Sequence, residues 1–428
     1  MIVRILLYSV NFFPEIVGIG KYSGEMAFWL AEAGHDVKVV AAPPYYPKWK
    51  IHNGFSGFWY KKELHKRISP KGESSISIYR CPIWVPLKPT GFKRIIHLAS
   101  FALSSMPIMI MQAFWRPNIV MVIEPPLFCA PTALFTSILC NSKSWIHIQD
   151  FEVDAAFDLG LLRNTLLRRV ILFAERILLR SFDRVSTISK SMLNKLGQKG
   201  IRHNKIRSFP NWINVDEIHP LRYPNFFRAS LKIPNETCIA LYSGNLGEKQ
   251  GLDVVIDAAR IIKSEIKILF VICGEGVARE SLIKYAKDAK NILWLPLQPS
   301  EIFNELLNFA DVHLLPQRKG LGELMMPSKL LGMQASGRPI IAMVEQNTEL
   351  KAAVSKCGIV VNPGDFEGLA EALKYLAENP DKRLKMGLAA RKQSMNYSKN
   401  KILSNFEEEL KLINNTLIKY LDKDKDLR

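Results

Sequence analysis

Tyr242-Ser243-Gly244-Asn245-Leu246-Gly247-Glu248-Lys249-Gln250-Gly251-Leu252 links an apolar run to a helical pattern through three glycines and a lysine. Backbone donors plus one ammonium can hold a diphosphate. Gly-Lys-Ser/Thr is missing, so the stretch is not a P-loop. Cys273-Gly274-Glu275-Gly276 follows the next apolar run in the same way. Pro327-Ser328-Lys329-Leu330 then opens a helical pattern with a hydroxyl and a lysine where the helix dipole is positive. Three such turns together point to a nucleotide diphosphate at the carboxyl ends of parallel strands. Near the start of the chain, Gly18 and Gly20 lie between a strand pattern and a helix pattern, with Lys21 next. Glycines there let an anion approach free N–H groups, although an ordinary tight turn reads equally well. The spacing is not Gly-x-Gly-x-x-Gly, and no acid closes the second strand where an NAD ribose would need one. Ile146-His147-Ile148-Gln149-Asp150 ends a further strand. Trp145, His147 and Gln149 share one strand face. Asp150 at the tip is the better candidate for binding hydroxyls, and His147 also reads as a core histidine. Asp422-Lys423-Asp424 has a metal-binding spacing, but it sits in a charged tail with no strand before it and reads as a solvated end. No metal is expected.

These residues need a frame to hold them. Val3–Val10 is a continuous apolar run of the kind buried in parallel sheets. A helical pattern from Tyr22 to Ala33 stops at Gly34, and Val37–Val40 is the next strand. Further strands fit at Ser75–Tyr79, Ile119–Ile123, Ser144–Ile148 and Arg184–Ile188. The alternation then begins again. Strands fit at Ile239–Tyr242, Ile268–Cys273, Ile292–Leu295, Val312–Leu315, Pro339–Ala342 and Ile359–Val361, and helices at 252–263, 278–287, 301–309, 329–335 and 367–378. Two α/β runs imply two doubly wound domains. Pro210 and Asn211 interrupt the periodicity, which predicts domains at 1–210 and 211–395, with a helix and charged tail at 396–428 that packs back toward the first.

The 428 residues carry 58 Lys and Arg against 40 Asp and Glu, a net of +18. Residues 1–210 hold 28 cations and 13 acids, a net of +15. The first domain is therefore expected to meet an anionic surface. Nucleic acid is not that surface, because no recognition module accompanies the charge. Lys48, Lys50, Lys61, Lys62, Lys66 and Arg67 are interleaved with Tyr45, Tyr46, Trp49, Phe55, Phe58, Trp59 and Tyr60. That mixture suits a lipid headgroup layer. Ile95–Trp115 lacks charges over 21 residues but carries His97, three serines, Gln112 and Pro107. It reads as a helix packed on the first sheet rather than a membrane span. Six cysteines without a Cys-x-x-Cys pair, behind a start that lacks a leader, predict reduced thiols in a cytoplasm.

Gly18-Ile19-Gly20-Lys21-Tyr22, Pro43-Pro44-Tyr45-Tyr46-Pro47, Ile148-Gln149-Asp150, Phe209-Pro210-Asn211-Trp212, Tyr242-Ser243-Gly244-Asn245, Gly247-Glu248-Lys249-Gln250-Gly251 and Pro327-Ser328-Lys329-Leu330 together resemble the family 4 glycosyltransferases, of the colanic-acid-biosynthesis fucosyltransferase type. The resemblance runs over nearly the whole chain. It implies a GT-B fold, with two Rossmann-like domains facing across a cleft. It further implies retention at the anomeric carbon and no cofactor beyond a GDP- or UDP-linked sugar donor. The basic and aromatic stretch of the first half, with Ile95–Trp115 downstream, predicts as acceptor an isoprenoid-diphosphate-linked saccharide, met by a cytoplasmic protein peripheral on the inner face of the membrane. Gly244, Asn245, Lys249, Gly274, Glu275, Gly276, Pro327, Ser328, Lys329 and Leu330 would bind the donor. Gly18, Gly20, Lys21, Tyr45, Tyr46, His147 and Gln149 would bind the acceptor. Asp150, Lys249 and Glu323 would serve the reaction. Two departures stand out. The family often has arginine at Asn245. Its second signature glutamate falls on Gly332, and the nearest upstream acid, Glu323, is nine positions before. A sugar-nucleotide epimerase of the same shape and an inactive scaffold are the alternatives.

Overall fold

The computed structural model describes residues 1–69, 72–154, 165–221, 225–262, 267–320 and 327–425. The chain divides into two units, Met1–Pro210 with Leu403–Arg428, and Asn211–Ile402.

The first unit is built on β1 (Arg4–Ser9), β2 (Asp36–Ala41), β3 (Lys61–Ser69), β4 (Gly72–Arg80), β5 (Ile119–Glu124), β6 (Lys143–Ile148), β7 (Arg184–Thr187) and β8 (Ile206–Ser208). The sheet order is β3-β4-β2-β1-β5-β6-β7-β8. Every pairing is parallel except β3 with β4. The order reverses between β1 and β5, so a crevice opens at their carboxyl ends. Helices α1 (Gly18–Glu32), α2 (Gly91–Gln112), α3 (Ala130–Leu139), α4 (Thr165–Ser181) and α5 (Lys190–Gln198) cover the sheet. Leu98, Phe101, Ala102, Ser105 and Met109 form the buried stripe of α2. Phe101 and Met109 join Val120, Val122, Ala130, Ala133, Ile146, Leu179 and Leu196 in one core. By length and composition α2 could cross a membrane, yet one face of it packs into this core, as its polar residues predicted. All six cysteines are free thiols.

The second unit has β9 (Cys238–Ser243), β10 (Ile268–Cys273), β11 (Ile292–Leu295), β12 (Val312–Pro316), β13 (Ile340–Met343) and β14 (Gly358–Val361), in the order β11-β10-β9-β12-β13-β14, all parallel. Its helices are α6 (Leu252–Ile261), α7 (Arg279–Tyr285), α8 (Phe303–Phe309), α9 (Lys329–Ala335), α10 (Glu349–Val354), α11 (Phe366–Glu378) and α12 (Pro380–Ser394). The strand order reverses between β9 and β12. The closing helix α13 (Lys399–Lys425) belongs to the first unit from Leu403 onward. There Phe406 stacks on Phe209 at 4.1 Å and meets Trp145 edge-on at 5.1 Å. Arg207 Nε donates to Glu409 at 2.7 Å. This helix therefore covers the sheet face opposite α2 to α5, because Ile146 and Trp145 point to opposite sides.

Candidate active site

In the second unit the turn after β9 lies against the turn after β10. Gly244 N donates to Cys273 O at 3.0 Å, Leu246 N to Glu275 O at 2.9 Å, and Ala278 N to Leu246 O at 3.0 Å. Gly274 has φ +146°, and a methyl group there would overlap Gly244 O. One at Gly276 would overlap Leu246 O. These two glycines therefore serve the stacking of one backbone turn on another. They pack on the Gly244 turn, where the sequence suggests that they face a ligand. Glu275 is exposed beside Arg279, 3.8 Å away.

Lys329, the first residue of α9, reaches back to this turn. Its Nζ lies 4.5 Å from the centre of the Tyr242 ring and donates to Gln250 Oε1 at 3.1 Å. No carboxylate among the described residues pairs with it. Desolvation of the ammonium pushes its pKa down to about 7. Tyr242 Oη donates to Asn245 O at 2.7 Å, which fixes the same turn from below. Lys249 is exposed on the 3-10 turn Glu248–Gln250. Its carbonyl accepts from Arg318 N at 3.4 Å, and Arg318 in turn pairs with Asp253 at 3.2 Å. Arg318 follows β12, on the far side of the strand-order reversal. The sequence reading missed it because its link to the Lys249 turn is a tertiary contact.

Pro327 and Ser328 precede α9, and Ser328 makes no side-chain cap. Leu330 is a correction. It is 1% exposed and packs with Leu315 and Met333, so it belongs to the core rather than the donor surface. Gly332 is buried against Leu307 and Phe303. Glu323 lies outside the described residues.

In the first unit Gly18 and Gly20 fall inside the first turn of α1 rather than in the loop before it. The helix starts four residues earlier than its apolar pattern predicted. Just before that start stands Glu15, which the sequence reading passed over. Its buried carboxylate accepts from Tyr45 N at 3.0 Å, Tyr46 N at 2.9 Å and Asn11 Nδ2 at 2.9 Å. Desolvation raises its pKa despite these donors. Only glycine fits opposite: a methyl at Gly20 would stand 2.5 Å from Glu15 Oε2. Glu15 thus ties the helix start to the Tyr45-Tyr46 loop. Tyr46 is exposed beside Gly18, whereas Tyr45 is 3% exposed against Trp49 and His97. Tyr45 is a core residue, which corrects its assignment as an acceptor contact. Lys21 is half-exposed, 3.9 Å from Glu25.

His147 is likewise a correction. It is 2% exposed, and burial drives its pKa down to about 3, so the ring is neutral. The Gln149 amide donates to Nε2 at 2.9 Å, which leaves the proton on Nδ1, facing Ser186 Oγ at 2.9 Å. Both ring nitrogens are occupied, so His147 orients Gln149. Asp150 is exposed at the strand tip, and Gln149 N donates to Glu124 O at 2.9 Å. Below them Glu124 is fully buried. Burial and the neighbouring Glu152 raise its pKa well above the carboxylate range, which keeps it neutral. Lys199 pairs nearby with Glu175 at 2.5 Å and Asp154 at 3.0 Å.

The basic stretch on β3 is largely paired. Lys61 lies 3.3 Å from Glu63, Lys66 2.6 Å from Glu73, and Arg67 3.6 Å from Glu32. Of its interleaved aromatics, Tyr46, Phe58, Trp59 and Tyr60 are exposed. No group of three or more His, Cys, Asp or Glu among the described residues could hold a metal ion.

The family described as Glycosyl transferase 4-like domain matches residues 17–212, and that described as Glycosyl transferases group 1 matches residues 225–393. The colanic acid biosynthesis glycosyl transferase WcaI of Escherichia coli (strain K12) is 37% identical over 381 residues, which cover 87% of this chain and 91% of that protein. Among solved structures, the sucrose-phosphate synthase of Thermosynechococcus elongatus superposes with a TM-score of 0.72 at 16% identity, covering 96% of this chain and 99% of that one. Anabaena Alr3699/HepE, solved in complex with UDP, gives 0.68 at 11% identity, covering 95% and 99%.

Proposed function

We propose a reaction for this chain on one premise: it belongs to the family 4 glycosyltransferases, with their GT-B fold of two Rossmann-like domains. The reaction is transfer of a sugar from a GDP- or UDP-linked donor to an isoprenoid-diphosphate-linked saccharide, in the synthesis of a bacterial surface polysaccharide. The protein would work as a cytoplasmic enzyme peripheral on the inner face of the membrane. One observation carries the donor half: Lys329, a desolvated ammonium without a carboxylate among the described residues, beside the turn of Gly244 and Asn245. A diphosphate would supply the missing negative charge. As the sugar–phosphate bond breaks, charge grows on the departing phosphate, and Lys329, Lys249 and Arg318 stand at the strand ends to stabilise it without a metal. In a retaining displacement of this kind the leaving phosphate itself takes the acceptor proton. No carboxylate pair astride the bond is then required. Asp150 and Gln149 would hold hydroxyls, and Lys21 and Tyr46 the acceptor beside the α1 helix start.

The test is turnover of a panel of nucleotide sugars with a lipid-linked acceptor. One donor should be consumed with retention of configuration. Lys329→Ala should lower donor kcat/KM by about 10- to 100-fold, the loss of one charge-assisted bond. No turnover with any donor, or an unchanged Lys329→Ala enzyme, defeats the reading.

A proton-linkage result follows. The free enzyme holds Lys329 with its pKa near 7. Diphosphate favours the ammonium form and so raises that pKa on binding. Donor binding at pH 8 should therefore take up a proton, and affinity should weaken as pH rises above about 7. Calorimetry in two buffers of different ionisation enthalpy reads this directly, and buffer-independent heats would refute it.

A further inference from the structure

We propose that the outer face of α2, α3 and α4 is the surface by which this chain docks on an anionic bilayer, with α4 lying along the headgroup layer. The inference rests on the lipid-linked acceptor and names the surface that meets the lipid.

Helix α4 is inside-out for a soluble helix. Leu166, Val170, Phe173 and Ile177 recur at spacings of four, three and four, which aligns them on one stripe. That stripe faces solvent, at 69%, 57%, 65% and 50% exposure. Glu175 and Leu179 are the residues turned inward instead. Arg169, Arg176 and Arg180 flank the stripe, exposed, at the same helical spacing. The apolar surface continues across the neighbours. Helix α3 packs on α4 and exposes Phe135, Ile138 and Leu139. Helix α2 packs on α3 and exposes Leu103 and Met106. Tyr60 Oη donates to Ser104 O at 2.7 Å and so seats the exposed Phe58 and Trp59 beside α2. Scattered exposed hydrophobes are ordinary, but a run across three adjacent helices is not.

The charge on this face selects the occupant. The three helices contain one acidic residue, Glu175, buried and paired with Lys199. Their exposed cations include Lys93, Arg94, Arg169, Arg176 and Arg180. A second copy would set arginine against arginine. An anionic lipid surface takes both components at once, apolar side chains into the acyl boundary and arginines among the phosphates. On β3, by contrast, Lys61 and Lys66 already pair with Glu63 and Glu73.

The experiment is co-sedimentation of the full chain with phosphatidylcholine vesicles, with and without phosphatidylglycerol, beside assays of donor hydrolysis and of transfer to a lipid-linked acceptor. Wild type should sediment with the anionic vesicles only. Arg169→Glu/Arg176→Glu should weaken that partition by about a hundredfold. Phe173→Ser/Ile177→Ser should weaken it about tenfold or more while leaving the arginines in place. Both variants alter exposed side chains and should keep wild-type melting curves and donor hydrolysis, with transfer to the lipid-linked acceptor reduced. Charge reversal on β3 at Lys61, Lys62 and Lys66 should leave partition within about threefold of wild type. The surface assignment is overturned if the α4 variants bind as wild type does, if the loss maps to β3 instead, or if the variants change the oligomeric state and not lipid binding. Loss of lipid binding on α4 mutation, in a protein that transfers sugar to no lipid-linked acceptor, would support this surface while refuting the acceptor.

Discussion

Gly274→Ala is expected to lower sugar-nucleotide turnover by at least about a hundredfold, equivalent to roughly 3 kcal/mol of donor or transition-state binding. The cause is local. Gly274 holds φ +146°, which costs an L-residue about 1–3 kcal/mol, and its Cα faces Gly244 O with no room for a methyl group. Backbone cannot yield as a flexible side chain can, so the turns after β9 and β10 must part. The bonds from Gly244 N to Cys273 O and from Leu246 N to Glu275 O go with them. Lys329 then keeps its place while the turn it addresses moves. Gly364→Ala is the control, because it also has positive φ, +86°, but nothing lies within 4 Å. It should cost only the conformational penalty, about 1 kcal/mol, with donor affinity intact. A Gly274→Ala protein that binds donor like wild type would show that the stacked turns are not the donor platform.

Glu15→Ala should affect the other unit. It removes the acceptor for three donors, among them the backbone N–H of buried Tyr45. Each stranded buried donor costs about 1–3 kcal/mol, so the first unit should lose roughly 3 kcal/mol of stability. The Tyr45-Tyr46 loop and the start of α1 should also come apart, so transfer to the acceptor should fall well below donor hydrolysis. Glu15→Gln retains one carbonyl oxygen for the backbone donors but turns an amide NH2 toward Asn11. Its loss should be intermediate. Equal loss of transfer and hydrolysis in the stably folded Gln variant would count against the positioning role.

Much of the architecture could be read before the structure. Strands buried on both faces, such as Ile119–Glu124 and Ile268–Cys273, are unbroken apolar runs and were found within a residue. Strand β3 was not found, because Lys61-Lys62-Glu63-Leu64-His65-Lys66-Arg67 shows charge where strands show apolar residues. It lies at the sheet's edge and needs no second buried face. The turns after β9 and β10 are visible because glycines and a lysine mark them. Arg318 and Glu15 were not, since each acts through a tertiary contact that no spacing encodes. The same limit explains Tyr45, His147 and Leu330. Residue type suggested ligands, but burial is decided by partners distant in sequence. Helix α4 escaped notice because its amphipathic pattern reads the same whichever face turns outward.

The sheet edges bear on how the protein behaves when concentrated. Open strand edges invite another chain to add itself by backbone pairing. Here β8 is three residues long, and β11 and β14 are four residues each, too short to template much. The one long edge, β3, is guarded by Lys61, Lys62, Lys66 and Arg67. Fibril-like stacking is thus blocked at every rim of both sheets among the described residues. Neutral, β-branched replacements at Lys62 and Lys66 would remove that guard and turn the first unit toward ordered aggregation, while its fold and both reaction sites stayed as they are.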